Sequence, residues 1–440
     1  MTSPRVGWYG DDFTGASDTL AVFTQAGLRA LLFLGVPSEQ QQDEAQRVLG
    51  GPPDAVGIAG ATRSMAPDAM RRELAPAGAF FARQQVRVLH YKVCSTFDSA
   101  PGTGSIGAAV ATLRPHVENP MVAIAGGQPS LGRYCAFSNL FAASGRGGAV
   151  ERIDRHPTMR QHPVTPMHEA DLRRHLALQG LETMGALHYP VYDLREDEQD
   201  AALRAAADAA SSAVLFDVAH ANHLRPLGRL LWDSAQRQRL LAVGPSSVAQ
   251  ALVAHWGTDS QPHSAPRLAP ASGPVFVLAG SLSPVTARQV RAARSYQPLT
   301  ISSATLLDAQ ARARAVQAIG EALRAGRHVL AFSAPDDPAA ADTRQARDVA
   351  AASARLLREV LEGAWRDGRP LRRVGVAGGD TSSLAVQALA PWALSCAATL
   401  GAGVTVSRAH ATHPAVDGLE LMLKGGQMGA ESVFEELLAR

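Results

Sequence analysis

Val6–Gly15 reads VGWYGDDFTG. An apolar strand with Val6 and Trp8 runs into two adjacent carboxylates, Asp11 and Asp12. Thr14, Gly15 and a helix-like run over Ala16–Ala26 follow. A strand that ends in acids and small residues before a helix puts charge at the carboxyl edge of a sheet, where α/β proteins bind ligands. Near the other end of the chain, Val374–Ser383 reads VGVAGGDTSS, again strand, glycine turn, acid, hydroxyls and helix. Two such corners predict two ligands, one per domain.

The chain has 440 residues, enough for two or three domains with a sizeable core. At 46% hydrophobic and 19% charged residues it is an ordinary globular composition. A formal charge of +2 supplies no broad basic field, and 5% aromatics supply no stacking platform, so nucleic acid is not an expected partner. Cys94, Cys135 and Cys396 are widely spaced and form no CxxC pair, so they read as buried small hydrophobes. A signal peptide is not expected, because Asp11 and Asp12 interrupt any early apolar core. No run approaches the roughly 18 apolar residues of a membrane helix. The expected location is cytoplasmic, with no membrane partner.

Strand-like segments fall at Val6–Tyr9, Ala30–Leu34, Ala55–Ala59, Val86–Val93, Met121–Ala125 and Ala213–Asp217, with amphipathic helices such as Pro67–Gln85 between several of them. The stretch Gly132–Met167, rich in Pro, His and Arg, reads as an irregular excursion across or beside the site. Gly257–Gly273 carries Pro262, Pro266 and Pro270 and reads as a linker. Strands at Val275–Leu278, Val329–Phe332, Val374–Ala377, Gly403–Ser407 and Leu419–Leu423, a long helix Thr343–Trp365 and a closing helix Glu431–Ala439 follow. This alternation predicts an α/β protein of two domains, each a mostly parallel sheet with helices on both faces. The expected division is 1–257, a linker 258–273, and 274–440.

Three corners of the second domain carry glycines or hydroxyls: Gly280–Ser283 with Ser281 and Ser283, Gly378–Thr381 with Gly379 and Asp380, and Lys424–Gly429 with Gly425 and Gly426. Each is expected to precede a helix. Helix N-termini offer free N–H groups and partial positive charge, and glycine lets a backbone approach oxyanions closely. Together they predict a cradle for a nucleotide's phosphates; the plain alternative is strand–helix turns capped by Ser283 and Asp380. In the first domain, Arg63 and Ser64 follow one strand, and Lys92, Ser95 and Thr96 follow another. With Asp11 and Asp12 these would converge on one sheet edge. Arg63 and Lys92 suit a substrate carboxylate, and Asp12 could orient or deprotonate a sugar hydroxyl. The plain alternative pairs Arg63 with a surface acid and makes Asp11 a helix cap.

Two motifs mislead. Gly102–Gly107 reads GTGSIG, but a polar segment Ser95–Pro101 separates it from the strand, and no acid stands about 20 residues on, as a dinucleotide site needs. His156, His162, His168 and His175 have spacings that fit no compact metal pattern, so they read as solvated or pocket-lining.

These residues resemble the four-carbon acid sugar kinase family. GDDFTGASDTL resembles its ADDFTGA motif, and the likeness continues through Thr62–Ser64, Tyr91–Lys92 with Ser95–Thr96, and HPVTPM at His162–Met167. GSLSPVT, GGDTSS and LKGGQMG resemble its nucleotide corners, so the ordered set spans nearly the whole chain. The resemblance implies an ATP-dependent kinase acting on four-carbon acid sugars or their 3-oxo forms. It puts Asp11, Asp12, Arg63, Lys92 and Ser95 in the substrate site. It puts Ser281, Ser283, Gly378, Gly379, Asp380, Thr381, Gly425 and Gly426 in the ATP site. Asp12 and Asp380 are the expected catalytic carboxylates, Mg²⁺ bridges the phosphates, and a homodimer is expected. The sequence departs from the pattern KxDSTxRGN: Cys94 replaces the aspartate and Asp98 takes the arginine position. The form KVCSTFDS resembles the branch acting on 3-oxo-isoapionate. The rival readings are a nicotinamide-dependent oxidoreductase and a non-catalytic acid-sugar sensor.

Overall fold

The computed structural model describes residues 3–144, 148–162, 164–210, 213–257, 268–281, 283–333, 343–401 and 403–439, without the side chains of 343–346 and Asp380. Most of the expected linker, residues 258–267, therefore lies outside the described residues. The chain forms two compact units, Met1–His263 and Ser264–Arg440.

In the first unit the strands are β1 (Val6–Gly10), β2 (Ala30–Phe33), β3 (Ala55–Ala59), β4 (Val88–Lys92), β5 (Val122–Gly126), β6 (Arg133–Ala136), β7 (Asn139–Ala143), β8 (Val150–Arg152), β9 (Met184–Leu187), β10 (Ala213–Asp217) and β11 (Leu240–Gly244). The main sheet is parallel, in the order β2-β3-β1-β4-β11-β5-β10-β9. β1, β3, β4 and β11 are buried along their whole length, as strands covered on both faces must be. Trp8 is fully buried and its indole donates to the Ala16 carbonyl at 3.2 Å, which pins the following helix Phe13–Gln25 onto the sheet. The ring lies so close to β3 that a Cβ on Gly57 would meet it at 2.2 Å, so only glycine fits there. The chain moves from β1 outward to β2 and back to β3, then crosses β1 to β4. The topological switch point is therefore at β1 and β4.

The excursion is more ordered than its sequence predicts. β6, β7 and β8 form a small antiparallel sheet. Asp217, fully buried at the end of β10, anchors it: its carboxylate accepts from the amides of Phe137 at 2.7 Å and Ser138 at 3.0 Å, and from Cys135 Sγ at 3.3 Å. Phe137 and Ser138 both have positive φ, the left-handed turn that joins β6 to β7.

In the second unit the strands are β12 (Phe276–Ala279), β13 (Tyr296–Ile301), β14 (His328–Ser333), β15 (Arg373–Ala377), β16 (Ala393–Gly401), β17 (Val404–His410) and β18 (Glu420–Lys424). Their order is β13-β14-β12-β15-β18-β17-β16. β13 through β18 in that order are parallel, and β17 runs antiparallel to both β18 and β16. The switch point here is between β12 and β15, with β18 beside β15. The expected α/β class with two mostly parallel sheets is what the structure shows. No helix among the described residues is long and apolar enough to cross a membrane.

Candidate active site

Three loops of the first unit meet at its switch point. The Asp11 amide donates to the Lys92 carbonyl at 2.9 Å, and the Arg63 amide to the Asp11 carbonyl at 3.1 Å. Their side chains then form a tight charge cluster. Arg63 binds Asp11 through Nε at 3.1 Å and Nη2 at 2.8 Å, and binds Asp12 Oδ2 through Nη1 at 2.8 Å. Asp12 is also the N-cap of the helix Phe13–Gln25, accepting from the Gly15 amide at 2.6 Å and the Thr14 hydroxyl at 2.9 Å. The cap is thus Asp12 rather than Asp11, because Asp11 is turned to Arg63. Lys92 is 4% exposed and donates to the Val93 carbonyl at 2.8 Å. A Cβ on Gly15 would lie 2.5 Å from both Lys92 Nζ and Asp12 Oδ1, so glycine is what admits the ammonium to this corner.

Burial pushes the Asp11 carboxyl up, against the pull of Arg63. Burial also pushes Asp12 up, but Arg63, Lys92, the Gly15 amide and the Thr14 hydroxyl outweigh it and hold Asp12 below the ordinary carboxylate value. Two neighbouring acids are therefore driven in opposite directions, a pattern that marks functional sites. The loop after β4 adds Cys94, which shares a hydrogen bond with Thr96 at 2.9 Å, and the Thr96 hydroxyl donates to Asp98 at 2.5 Å. Burial, then Asp98, pushes the Cys94 thiol up to about 11, so it stays protonated at neutral pH. Cys94 is thus not simply a core hydrophobe: it is half-buried and belongs to the polar loop. Ser95 is 8% exposed in the same loop.

The second unit brings its three glycine corners to the ends of β12, β15 and β18. Ser283 caps the helix Pro284–Ala292, accepting from the Thr286 amide at 3.1 Å, and its own hydroxyl donates to the Gly426 carbonyl. Thr286 Oγ1 donates to the same carbonyl at 2.8 Å, which ties the first corner to the third. The Gly378 amide donates to the Lys424 carbonyl at 3.0 Å, tying the second to the third. Gly378 has φ of 124° and caps the helix Gly379–Leu389 without a side chain, so Asp380 lies inside the first turn and is not the cap. The side chain of Asp380 lies outside the described residues. A Cβ on Gly280 would meet Thr381 Oγ1 at 2.4 Å, and one on Gly426 would meet Ser281 Oγ at 2.3 Å, so glycine lets the hydroxyls crowd together. A Cβ on Gly379 meets nothing of the described residues within 4 Å.

The third corner differs from its expectation. Gly425–Gly429 opens onto a turn, and the helix that follows is only Val433–Glu436, instead of Glu431–Ala439. With one helical turn there is no useful dipole, so this corner contributes backbone and side chains only. What it does contribute escaped the sequence reading: Lys424, fully buried, with Nζ donating to Thr286 Oγ1 at 3.3 Å. Burial lowers its pKa to about 8. A lysine at the end of a β-strand gives no periodic signal of its own burial.

A groove of about 590 Å³ lined by Arg324, Arg366, Arg369 and Arg372 opens elsewhere on this unit. It lies at the amino ends of β12, β14 and β15, opposite the glycine corners, and α/β sheets bind ligands at the carboxyl ends. GTGSIG is likewise ordinary structure: Ser105 caps the helix Ile106–Leu113, well after β4. The histidines serve the loops: His156 and His162 accept from nearby amides, and His175 bonds Ser99. No group of three metal-ligating side chains occurs among the described residues.

One switch point rich in paired charge and one rich in glycine and hydroxyls define a class: a two-domain protein that handles a small polar molecule in one unit and a phosphate-bearing molecule in the other. Comparison with known proteins narrows it. Residues 6–252 match a family described as the sugar-binding N-terminal domain, and residues 276–434 one described as the nucleotide-binding C-terminal domain. The chain is 37% identical to a 3-oxo-isoapionate kinase of Paraburkholderia graminis, over 97% of this chain and 92% of that protein. It is 32% identical to a 3-oxo-tetronate kinase of Methylobacterium radiotolerans, over 99% of both. A crystal structure of a Salmonella typhimurium LT2 protein shares the fold with a TM-score of 0.79 at 25% identity, covering 98% of both chains. The chain belongs to the four-carbon acid sugar kinase family, and it is a kinase. The oxidoreductase and sensor readings find no support among these relatives.

Proposed function

We propose that this protein transfers the γ-phosphoryl group of ATP to a hydroxyl of a 3-oxo acid sugar, 3-oxo-isoapionate or a 3-oxo-tetronate. The observation that carries this reading is the Asp11–Arg63–Asp12 cluster at the switch point of the sugar-binding unit, with the buried Lys92 ammonium at the adjoining Gly15 corner. Paired carboxylates and cations there suit a polyhydroxy acid, whose hydroxyls need acceptors and whose acid group needs a cation.

Asp12 has both oxygens engaged and a lowered pKa, which makes it a poor proton acceptor and a well-fixed acceptor for a hydroxyl's hydrogen bond. We assign it to orienting the accepting hydroxyl. Phosphoryl transfer needs mainly positioning and charge neutralisation, so a weak base is no obstacle. Asp11, Ser95 and Arg63 complete the sugar side. On the nucleotide side, the hydroxyls of Ser281, Ser283 and Thr381 and the backbone at Gly378, Gly379, Gly425 and Gly426 would meet phosphate oxygens. Asp380 keeps its assignment to the metal and phosphates on sequence alone. The described donors there are hydroxyls, amides and the buried Lys424 ammonium, which fit phosphate oxygens directly. Mg²⁺ would enter on the phosphates, needing only water and one or two protein oxygens, and supplies charge neutralisation there. The reading includes a homodimer and a cytoplasmic location; sedimentation tests the first.

The test is an ADP-release assay over tetronates, their 3-oxo forms and 3-oxo-isoapionate. Turnover confined to 3-oxo acid sugars is expected. Equal turnover of neutral sugars would remove the reading. Within it, Asp12→Asn is expected to lower kcat about a hundredfold with ATP affinity unchanged, consistent with loss of a positioning contact. A near-normal kcat would take Asp12 out of the chemistry and leave Asp380 as the carboxylate to examine.

A further inference from the structure

Three cations stand at the sugar-side edge, and they differ in what already occupies them. Arg63 is matched by two carboxylates, Asp11 bidentately and Asp12 through Nη1. Two of its five N–H groups stay available, but its charge is spoken for. Lys92 is 4% exposed, bonded to the Val93 carbonyl with its ammonium at the Gly15 corner. Arg133 is the third, at the start of β6. It makes no ion pair among the described residues. Its Nη1 donates to the Leu131 carbonyl, and its Nε is buried with no partner among the described residues. Burial pulls its pKa down from the ordinary arginine value, with the Cys94 and Tyr134 side chains acting in the opposite sense. Its backbone pairs both ways with Gln128, at 2.8 Å and 3.2 Å, and the Gln128 side chain donates to Asp18 on the helix that Asp12 caps, which sets Arg133 at the same strand-end edge as Arg63.

We propose that Arg133 binds the carboxylate of the acid-sugar substrate. This rests on the acid-sugar reading above and names the group that would receive the acid. The charge balance of the edge supports it. Asp11, Asp12 and Asp98 face Arg63 and Lys92, so without Arg133 an acid sugar would meet a surplus of negative charge. A guanidinium held partly out of water without a carboxylate is costly unless an anion completes it, and its planar fork suits a carboxylate. Asp217 anchors the turn of the hairpin that carries it and the Leu131 carbonyl holds Nη1, so the fork is placed before substrate arrives. Sequence reading missed it because the surrounding stretch shows no periodicity, and one arginine among several there carries no mark.

The experiment pairs a charged and an uncharged ligand. Arg133→Gln and Arg133→Lys are compared with the wild type on the best acid sugar from the ADP-release screen and on its carboxamide. Acid-sugar binding without nucleotide is read by calorimetry. Arg133→Gln is expected to raise the acid-sugar KM roughly ten- to a hundredfold, the size of a lost charge-assisted bidentate contact. Binding in the calorimeter should weaken in parallel. KM for ATP and kcat/KM for the carboxamide should stay within about threefold. Arg133→Lys, and guanidinium added to Arg133→Gln, should each restore part of the loss. An equal loss on acid and carboxamide would make Arg133 a loop-stabilising residue and overturn the inference, as would an unchanged KM. A wild type that neither binds nor turns over any acid sugar would overturn the acid-sugar reading itself, and the inference with it.

Discussion

The two switch points solve opposite problems with the same topology. In the sugar-binding unit the strand ends carry charges that answer one another: Arg63 lies between Asp11 and Asp12, and the Lys92 charge helps hold Asp12 ionised. In the nucleotide-binding unit the described strand ends carry glycines and hydroxyls, with one buried cation, Lys424, bonded to a threonine hydroxyl. A charge cluster of the first kind holds its geometry through ion pairs and fails when one member is lost. A backbone cradle of the second kind holds its geometry through close packing and fails when a side chain fills its space. The two edges should therefore break in different ways.

The largest effect is expected from Arg63→Ala. Removing it leaves two carboxylates side by side in a buried corner, Asp11 at 7% side-chain exposure and Asp12 at 18%. Breaking a buried pair by deleting one partner costs about 3–5 kcal/mol. Chemical denaturation should show that loss, together with a raised KM for the acid sugar. Asp11→Asn in the same background should recover part of the stability, because it removes one orphaned charge. A stable Arg63→Ala protein with ordinary kinetics would mean that the cluster is neither structural nor functional.

How far these edges could be read from the chain depends on the kind of signal each part leaves. The corners were legible because an acid pair or a glycine pair after an apolar run is local. The strands β1, β3 and β10 were legible because their runs are bounded by turns. β11, which sits between β4 and β5, was missed: LLAVG is a short apolar run behind a helix, and five residues cannot separate strand from helix by periodicity. β13 was missed because Pro298 argues against a strand, and an edge position tolerates it. The order of β6–β8 depends on Asp217, far away in sequence, so nothing inside Gly132–Met167 announces it. Lys424 and Arg133 were passed over for the same reason: what sets them apart is what lies around them in three dimensions.

Lys424 comes next, because among the described residues it is a cation without the carboxylates that serve Arg63. Its pKa is lowered by burial from 10.5 to about 8. The unfolded chain then binds more protons between about pH 8 and 10.5, so stability rises with pH through that window, and the full cost is present below it. That cost is about 3 kcal/mol at neutral pH. Lys424→Met should be more stable than the wild type at pH 7, and the gap should close as pH climbs through the window. A gap independent of pH would show that the ammonium is already compensated in the free protein. It would then resemble Arg63 more than the comparison allows.

The smallest effect is the most specific to the glycine cradle. Gly379 opens the helix Gly379–Leu389, and a Cβ there would meet no atom of the described residues within 4 Å. A side chain at this position has room in the free protein, so Gly379→Val should fold with stability within about 1 kcal/mol of wild type, the scale of helix propensity and glycine entropy. A nucleotide phosphate at that helix start would lose the room, and the free N–H groups would be screened by the isopropyl group. Nucleotide affinity should fall about tenfold, equivalent to roughly 1.4 kcal/mol, while acid-sugar binding in the absence of nucleotide stays unchanged. The same substitution at Gly15 gives the opposite pairing, because a Cβ there already collides with Lys92 and Asp12 at 2.5 Å. It should lower stability and acid-sugar binding together. If Gly379→Val left nucleotide affinity intact, the open space at that helix start would not be where phosphate lies. The nucleotide would then have to be sought nearer Ser281, Thr381 and Gly426, where hydroxyls crowd the glycines.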